Sequence, residues 1–227
     1  MAQSRLTTDG ASDIAALMTL MDQETRSTLK TQLFRQIAAL GRQNALLPSA
    51  AGAIDQLIMQ LEQGNPTPHP LHSAAMPQLL GAWELIYASR GTVVTRRLAP
   101  FSPGFGATGV TIHSVWQTLT FHAPKTLNAE NGAELEIPFL GRWRLRADGQ
   151  WGWEEEREQE ATVKFNAFAI QARQAFGQPQ WQLPELKIPV LEFLQNEAWW
   201  RTSYLDEDLR VGRGKTGNLF VFRKSIM

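Results

Sequence analysis

The chain has no cysteine among its 227 residues. A disulfide framework, a thiol nucleophile and a thiolate metal site are therefore excluded. It also lacks net charge, because 22 Lys and Arg balance 22 Asp and Glu. A neutral chain sets up no global field toward nucleic acid or an anionic bilayer, so only local patches remain for such contacts. No apolar run approaches the ~18 residues that a spanning helix needs. The first ten residues, Met1 to Gly10, hold neither a basic n-region nor an apolar h-region, and no long Arg- and Ser-rich transit segment is visible. These absences lead to the expectation of a cytoplasmic protein or one peripheral to a membrane. Tyrosine is scarce: two Tyr stand against eight Trp. Trp offers large contact area and serves both in cores and in apolar pockets.

What is present divides near residue 70. Before it the apolar spacing is helical. Ile14, Leu17, Met18 and Met21 form one stripe, Leu29, Leu33, Ile37 and Leu40 a second, and Ile54, Leu57, Ile58 and Leu61 a third. Asp22 is placed to cap the second helix, Gly41 lies near its end, Pro48-Ser49 opens the third helix and Gly64-Asn65-Pro66 closes it. Helices this short are marginal alone. The spacing therefore predicts a helical appendage over residues 1–70, packed on whatever follows. Pro66, Pro68, Pro70 and Pro77 mark the linker.

After about residue 80 the period becomes two. Trp83, Leu85 and Tyr87 share one face; Trp143, Leu145 and Ala147 alternate with Arg142, Arg144 and Arg146. Asp148-Gly149 is a hairpin signal, and Trp151 and Trp153 follow on the return. Further runs at 110–122, 133–137, 161–170, 198–205, 208–213 and 218–223 bring the candidates to nine strands. Segments 92–98 and 185–191 are weaker. Short turns join nearly all of them, which favours a mainly β protein with N-terminal helices, its residues 71–227 forming an antiparallel barrel of about eight or nine strands. A barrel of about eight strands has room for packed side chains or one small ligand.

Chemical motifs are few. Gly214-Lys215-Thr216 ends like a phosphate loop, but Leu209 stands where the first glycine belongs, and the context is a turn between strands. His113 and His122 are nine apart, so one unbroken strand sends them to opposite faces, and no metal site is expected. No catalytic signature appears, and the Glu-rich run from Glu154 to Glu160 reads as a solvated turn. No cofactor is expected either. Asp206, Asp208 and Arg210 share one face of an extended strand, with Arg213 on the other. They fit a structural ion-pair cluster at a barrel end, or a polar anchor for a ligand head.

Gly81-Ala82-Trp83 opens the first strand and resembles the lipocalin, or calycin, pattern. In that pattern the Trp plugs the closed end and an Arg packs over it, here Arg213 or Arg223. The longer run from Ser203 to Gly214, continued by Gly217-Asn218-Leu219-Phe220-Val221, resembles the signature of the PAP/fibrillin family, the plastid-lipid-associated proteins of plastids and cyanobacteria. Leu80 to Tyr87 resembles that family's opening strand, and Leu61-Glu62, Asn65-Pro66 and Pro68 its linker. Ala88 departs from the family's expected Thr, and the missing transit peptide suggests a cyanobacterial-type member at the thylakoid surface. The resemblance covers the chain from about residue 25 to its end.

The resemblance implies a lipocalin-like barrel that carries a hydrophobic small molecule (isoprenoid, prenylquinone, carotenoid or lipid) without catalysis. Face parity nominates Trp116, Trp143, Trp151, Trp153, Phe165 and Tyr204 as lining residues, with Asp206 and Arg210 at the head. Gly81, Trp83, Asp208 and Arg213 are assigned structural roles. Two alternatives stay open. One is an accessory protein docking on a prenyl-chain or quinone biosynthetic enzyme through its Leu- and Met-rich helix faces. The other is a bilin lyase, against which the absent cysteine argues. Peripheral membrane contact is assigned to Phe101 and Phe105 in a Pro/Gly loop, which serves either to insert or to close the barrel mouth as a lid. No nucleic acid partner is expected.

Overall fold

A computed structural model describes residues 8–47, 52–89, 109–175, 182–189 and 197–225. The expectations for Pro48-Ser49, for a strand over 92–98 and for the Phe101/Phe105 loop lie outside the described residues. Helix α1 spans Thr8–Leu46 and α2 spans Gly52–Gln63. The linker carries a 3-10 turn at Ser73–Ala75 and a short α3 at Met76–Leu79. Asp22 does not start a helix, because α1 runs through it. No Gly or Pro interrupts residues 22–40, and the first break comes at Gly41, whose φ of 72° is open to glycine at no steric cost.

Among the described residues nine strands follow: β1 Gly81–Ala88, β2 Thr111–Ala123, β3 Thr126–Ile137, β4 Gly141–Gly152, β5 Glu160–Ala175, β6 Leu186–Pro189, β7 Ala198–Leu205, β8 Leu209–Gly214 and β9 Leu219–Lys224. All pairings are antiparallel, and the order β4-β3-β2-β1-β9-β8-β7-β5 returns to β4. Eight strands thus close into a ring, and β6 adds to the outer part of β5 over Ala167–Ile170. Ring closure removes the free edges that an open antiparallel sheet would expose.

One expected turn is absent. Asp148-Gly149 lies inside β4, paired with β3 on one side and β5 on the other. The glycine is there for contact: a Cβ on Gly149 would stand 2.6 Å from the Lys164 carbonyl oxygen. The register shifts at that point, leaving Asn166 of β5 unopposed, so the signal read as a hairpin marks a bulge.

Two apolar clusters hold the molecule. The first fills the ring: Trp83, Leu85, Leu119, Leu127, Trp151, Val163, Leu205 and Phe222 are buried, and Leu71 and Leu79 plug it from the linker. The second lies outside the ring. There Leu33 and Ile37 of α1 and Ile54, Leu57, Ile58 and Leu61 of α2 pack on Tyr87, Tyr204, Leu209, Val211 and Val221. Both described helical stripes are thus consumed by the barrel wall. Met21 at the end of the first stripe is exposed.

Candidate functional site

Cross-strand partners share a face, so the register sorts every strand residue as inner or outer. Gln117, Leu119, Leu127, Leu135, Trp143, Leu145, Trp151 and Phe165 fall on the inner side, as do Trp200, Arg210, Phe220 and Phe222. The plugged end is the more completely sealed. Trp83 is fully buried and donates its indole N–H to the Leu79 carbonyl at 2.8 Å. Lys224 stands over the Trp83 ring at 4.3 Å and donates to the carbonyls of Gln78 and Leu80.

Arg210 lies at the centre of this end with no solvent exposure. Its guanidinium carbon is 4.8 Å from the Trp83 ring centroid, 4.4 Å from Phe222 and 5.8 Å from Trp151. Nη2 donates to Gln117 Oε1 at 2.6 Å, and Gln117 in turn donates to Asn131 Oδ1 at 2.7 Å. Nε and Nη1 have no acceptor. Burial pulls the guanidinium down, to about 9, which leaves it charged at neutral pH. The cations over Trp83 are therefore Lys224 and Arg210. Arg213 and Arg223, expected there, face outward: Arg213 grips Glu62 of α2, and Arg223 pairs with Glu84 at 2.8 Å.

The opposite end of the inner face is less filled. Phe165 stacks on Phe168 with centroids 6.0 Å apart, and Phe168 is 49% exposed. Pairing places Ile188 opposite Phe168 and Leu186 opposite Ile170, so β6 extends the same apolar face, 54% and 61% exposed at those residues. Trp143 and Leu145 stand across from Ala172 and Ile170. A separate cleft of about 450 Å³ lies away from that face, at the β4–β5 connection beside the short β5–β7 pairing; Gln150, Thr162, Lys164 and Trp199 in its lining face outward by register, and Glu154, Arg157, Glu160 and Glu197 add charge to it.

The nominated lining residues thus separate. Trp151 is buried inside the ring, Trp153 and Phe165 pack half-buried against its core, and Trp143 lies inward near the open end, its indole bonded to the Leu140 carbonyl at 3.2 Å. Trp116 faces out. A register shift between Ile112 and Ser114 inverts the parity, and its indole lies over Gly132 with Arg144 stacked at 5.5 Å. Tyr204 also faces out, inverted by the shift between Thr202 and Tyr204, and packs under the helices. Asp206 does not accompany Arg210. Leu205 opposite Arg210 points inward, and Asp206 and Asp208 meet Lys30 of α1 outside, at 2.9 Å for Asp206. Burial opposes the charge on Asp206, but hydrogen bonds with the Tyr204 hydroxyl, the Asp208 side chain and the Lys30 ammonium outweigh it and hold the carboxyl low. Gly81 has φ 112° and sits against the Lys224 side chain, opening β1 where an L side chain would be strained.

Sequence reasoning missed Trp200, Phe220 and Phe222, which complete the aromatic cage. Trp200 lies 5.5 Å from Trp151 and 5.4 Å from Phe220, centroid to centroid. The signal was available: Gly212 alternates with Arg210 on one face of β8, and that glycine leaves room for a flat indole.

The family model PAP_fibrillin matches residues 27–223. The chain is 27% identical to "Probable plastid-lipid-associated protein 3, chloroplastic" of Oryza sativa subsp. japonica, over 76% of this chain and 52% of the relative. It is 30% identical to "Probable plastid-lipid-associated protein 8, chloroplastic" of Arabidopsis thaliana, over 65% and 53%. It is 26% identical to "Plastid-lipid-associated protein, chloroplastic" of Citrus unshiu, over 75% and 59%. The chain spans little more than half the length of these curated relatives. No solved structure matches it.

Proposed function

The chain belongs to the PAP/fibrillin family, and from that premise we propose that its ring binds an apolar small molecule, an isoprenoid, prenylquinone, carotenoid or lipid, without catalysing its conversion. One observation carries this reading: away from the polar group at the plugged end the inner face is apolar and aromatic, yet Phe168, Ile188 and Leu186 on that face stay about half exposed. Apolar surface left exposed on an inward face favours a ligand over a packed core. Moving an isoprenoid tail onto it contributes roughly 25 cal/mol per Å² before ordering costs. The names of the relatives, which associate them with plastid lipid, agree in class.

Titration of Trp fluorescence with a plastoquinone analogue tests the reading. Saturable quenching is expected, weakened when Phe168→Asp or Ile188→Asp places a charge on the inner face. Absent quenching, or affinity indifferent to both substitutions, overturns it.

A second reading is peripheral contact with a lipid surface, and the β3–β4 turn favours it. Phe139 is 94% exposed and Leu140 44%, with the Trp143 indole beside them. Aromatic and aliphatic side chains at an exposed tip suit insertion at an interface, with Trp at headgroup depth. No described helix is long and apolar enough to cross a membrane. This reading places the protein at the surface of a photosynthetic membrane.

A further inference from the structure

Charge is distributed unevenly across the wall of the ring. Among the described strand residues, the register sends every Asp and Glu to the outer face, where Glu84, Glu130, Glu134, Glu136 and Asp148 meet arginines. The inner face carries Arg210 and, at the plug, Lys224. Lys224 is occupied by the carbonyls of Gln78 and Leu80. Arg210 is fully buried and has Gln117 as its hydrogen-bonding partner, through Nη2.

A guanidinium has five N–H donors in one plane. The rings of Trp83, Trp151 and Phe222 attract its charge but offer no lone pair in that plane. The N–H groups on Nε and Nη1 therefore lack an acceptor, although a buried charge without partners is strongly disfavoured. Gln117 cannot turn to help, because its amide is fixed on Asn131. Cage and network together hold the cation in place with two of its three nitrogens unused.

We propose that Arg210 receives the carboxylate of an amphiphile whose apolar chain lies along the inner face toward Phe165 and Phe168. This deepens the reading of the ring as an apolar binding site and rests on it. The ligand class is then an apolar chain ending in an anionic oxygen head. A neutral molecule of the same chain satisfies the wall but leaves the guanidinium as it is. One pairing step from Arg210 toward the open end, Phe220 of β9 stands opposite Gly212 of β8, and the indole of Trp200 from β7 rests on that glycine, so a seated head displaces the Trp200 indole.

The test compares oleate, oleyl alcohol and oleylamine on the full chain by calorimetry at neutral pH. Oleate is expected to bind about tenfold or more tightly than the alcohol, the gain of a charge-assisted hydrogen bond, and the amine more weakly than either. Arg210→Met should erase the preference for oleate and retain the alcohol. Equal binding of oleate and alcohol by the unmodified chain overturns the carboxylate assignment and leaves the apolar site standing. Failure of all three to bind removes both. The comparison on the unmodified chain decides the matter even where Arg210→Met does not fold.

Discussion

Arg213 on β8 holds Glu62 at the end of α2 in a two-pronged grip, Nε to Oε1 at 2.7 Å and Nη2 to Oε2 at 2.5 Å. Both side chains are largely shielded, at 27% and 16% exposure. The pair clamps the helices to the outer wall beside the Leu57–Leu61 stripe. Lysine keeps the charge but cannot reproduce the fork. Arg213→Lys should lower the unfolding free energy in urea by about 1–2 kcal/mol. Glu62→Gln should cost a similar amount, and the double variant less than the sum. Strict additivity would show that the two side chains do not act together.

The two tyrosines report the same seam from the alkaline side. Burial pushes the Tyr87 phenol up, to about 12, helped by Asp55, whose Oδ1 is 3.3 Å away. Burial and the Asp206 carboxylate push Tyr204 higher still. In the unfolded chain both ionise at the ordinary value of 10.0. A folded value above the unfolded one means that stability is full below pH 10 and falls as pH rises from there toward 12. Phenolate absorbance should therefore stay flat through pH 10 in the folded protein and appear together with loss of structure. Tyr87→Phe should soften the fall. A phenolate signal near pH 10 with structure intact would contradict the burial of both rings.

Gly212 lets an indole lie flat against β8: a Cβ there would stand 1.9 Å from Trp200 Cζ2. The contact is with the ring body, so nothing flexible yields. Gly212→Ala should drive Trp200 off the Trp151 and Phe220 rings, lowering stability by about 1–3 kcal/mol and shifting Trp emission toward the solvent-exposed range. Unchanged emission would mean that Trp200 does not rest on this glycine.

Much of this architecture was legible in the chain. The stripes Leu33–Ile37 and Ile54–Leu61 pack where their spacing puts them, and the period-two runs mark β1, β2, β5, β7, β8 and β9 within a few residues. Ring closure was suggested by the short turns, but the count of nine agrees only because β4 was read as two strands while the segment holding β6 was left out. What failed was parity, chiefly for one physical reason. Bulges at His113, Ser203 and Asn166 each add a residue that a period-two reading counts as half a repeat. Beyond each bulge every assignment inverts, which put Trp116 and Tyr204 on the wrong face. Asp206 was joined to Arg210 for a different reason: residues 206–208 form the turn between β7 and β8, so the side chains of 206, 208 and 210 do not alternate along one extended strand. Asp148-Gly149 misled as well, since a glycine required by a close backbone approach carries the letters of a turn. Arg210 was singled out for its charge, but its cage was invisible, because Phe220 and Phe222 meet it only through pairing of β8 with β9.

Phe139 separates stability from lipid contact. Its φ of 67° lies in the left-handed region, where a bulky side chain is strained by about 1–2 kcal/mol. With the ring 94% exposed, no packing repays that strain within the fold. A residue selected for folding alone would be Gly or Asn. Phe139→Gly should relieve the strain, offset in part by the freedom glycine gains when unfolded, for a net change between zero and about 1 kcal/mol in favour of the folded state. Flotation with uncharged phosphatidylcholine vesicles should fall at the same time. Phe139→Trp should keep the flotation and the strain. If Phe139→Gly floats as well as the unmodified chain, the aromatic tip has no part in lipid contact, and the strained turn would need another explanation.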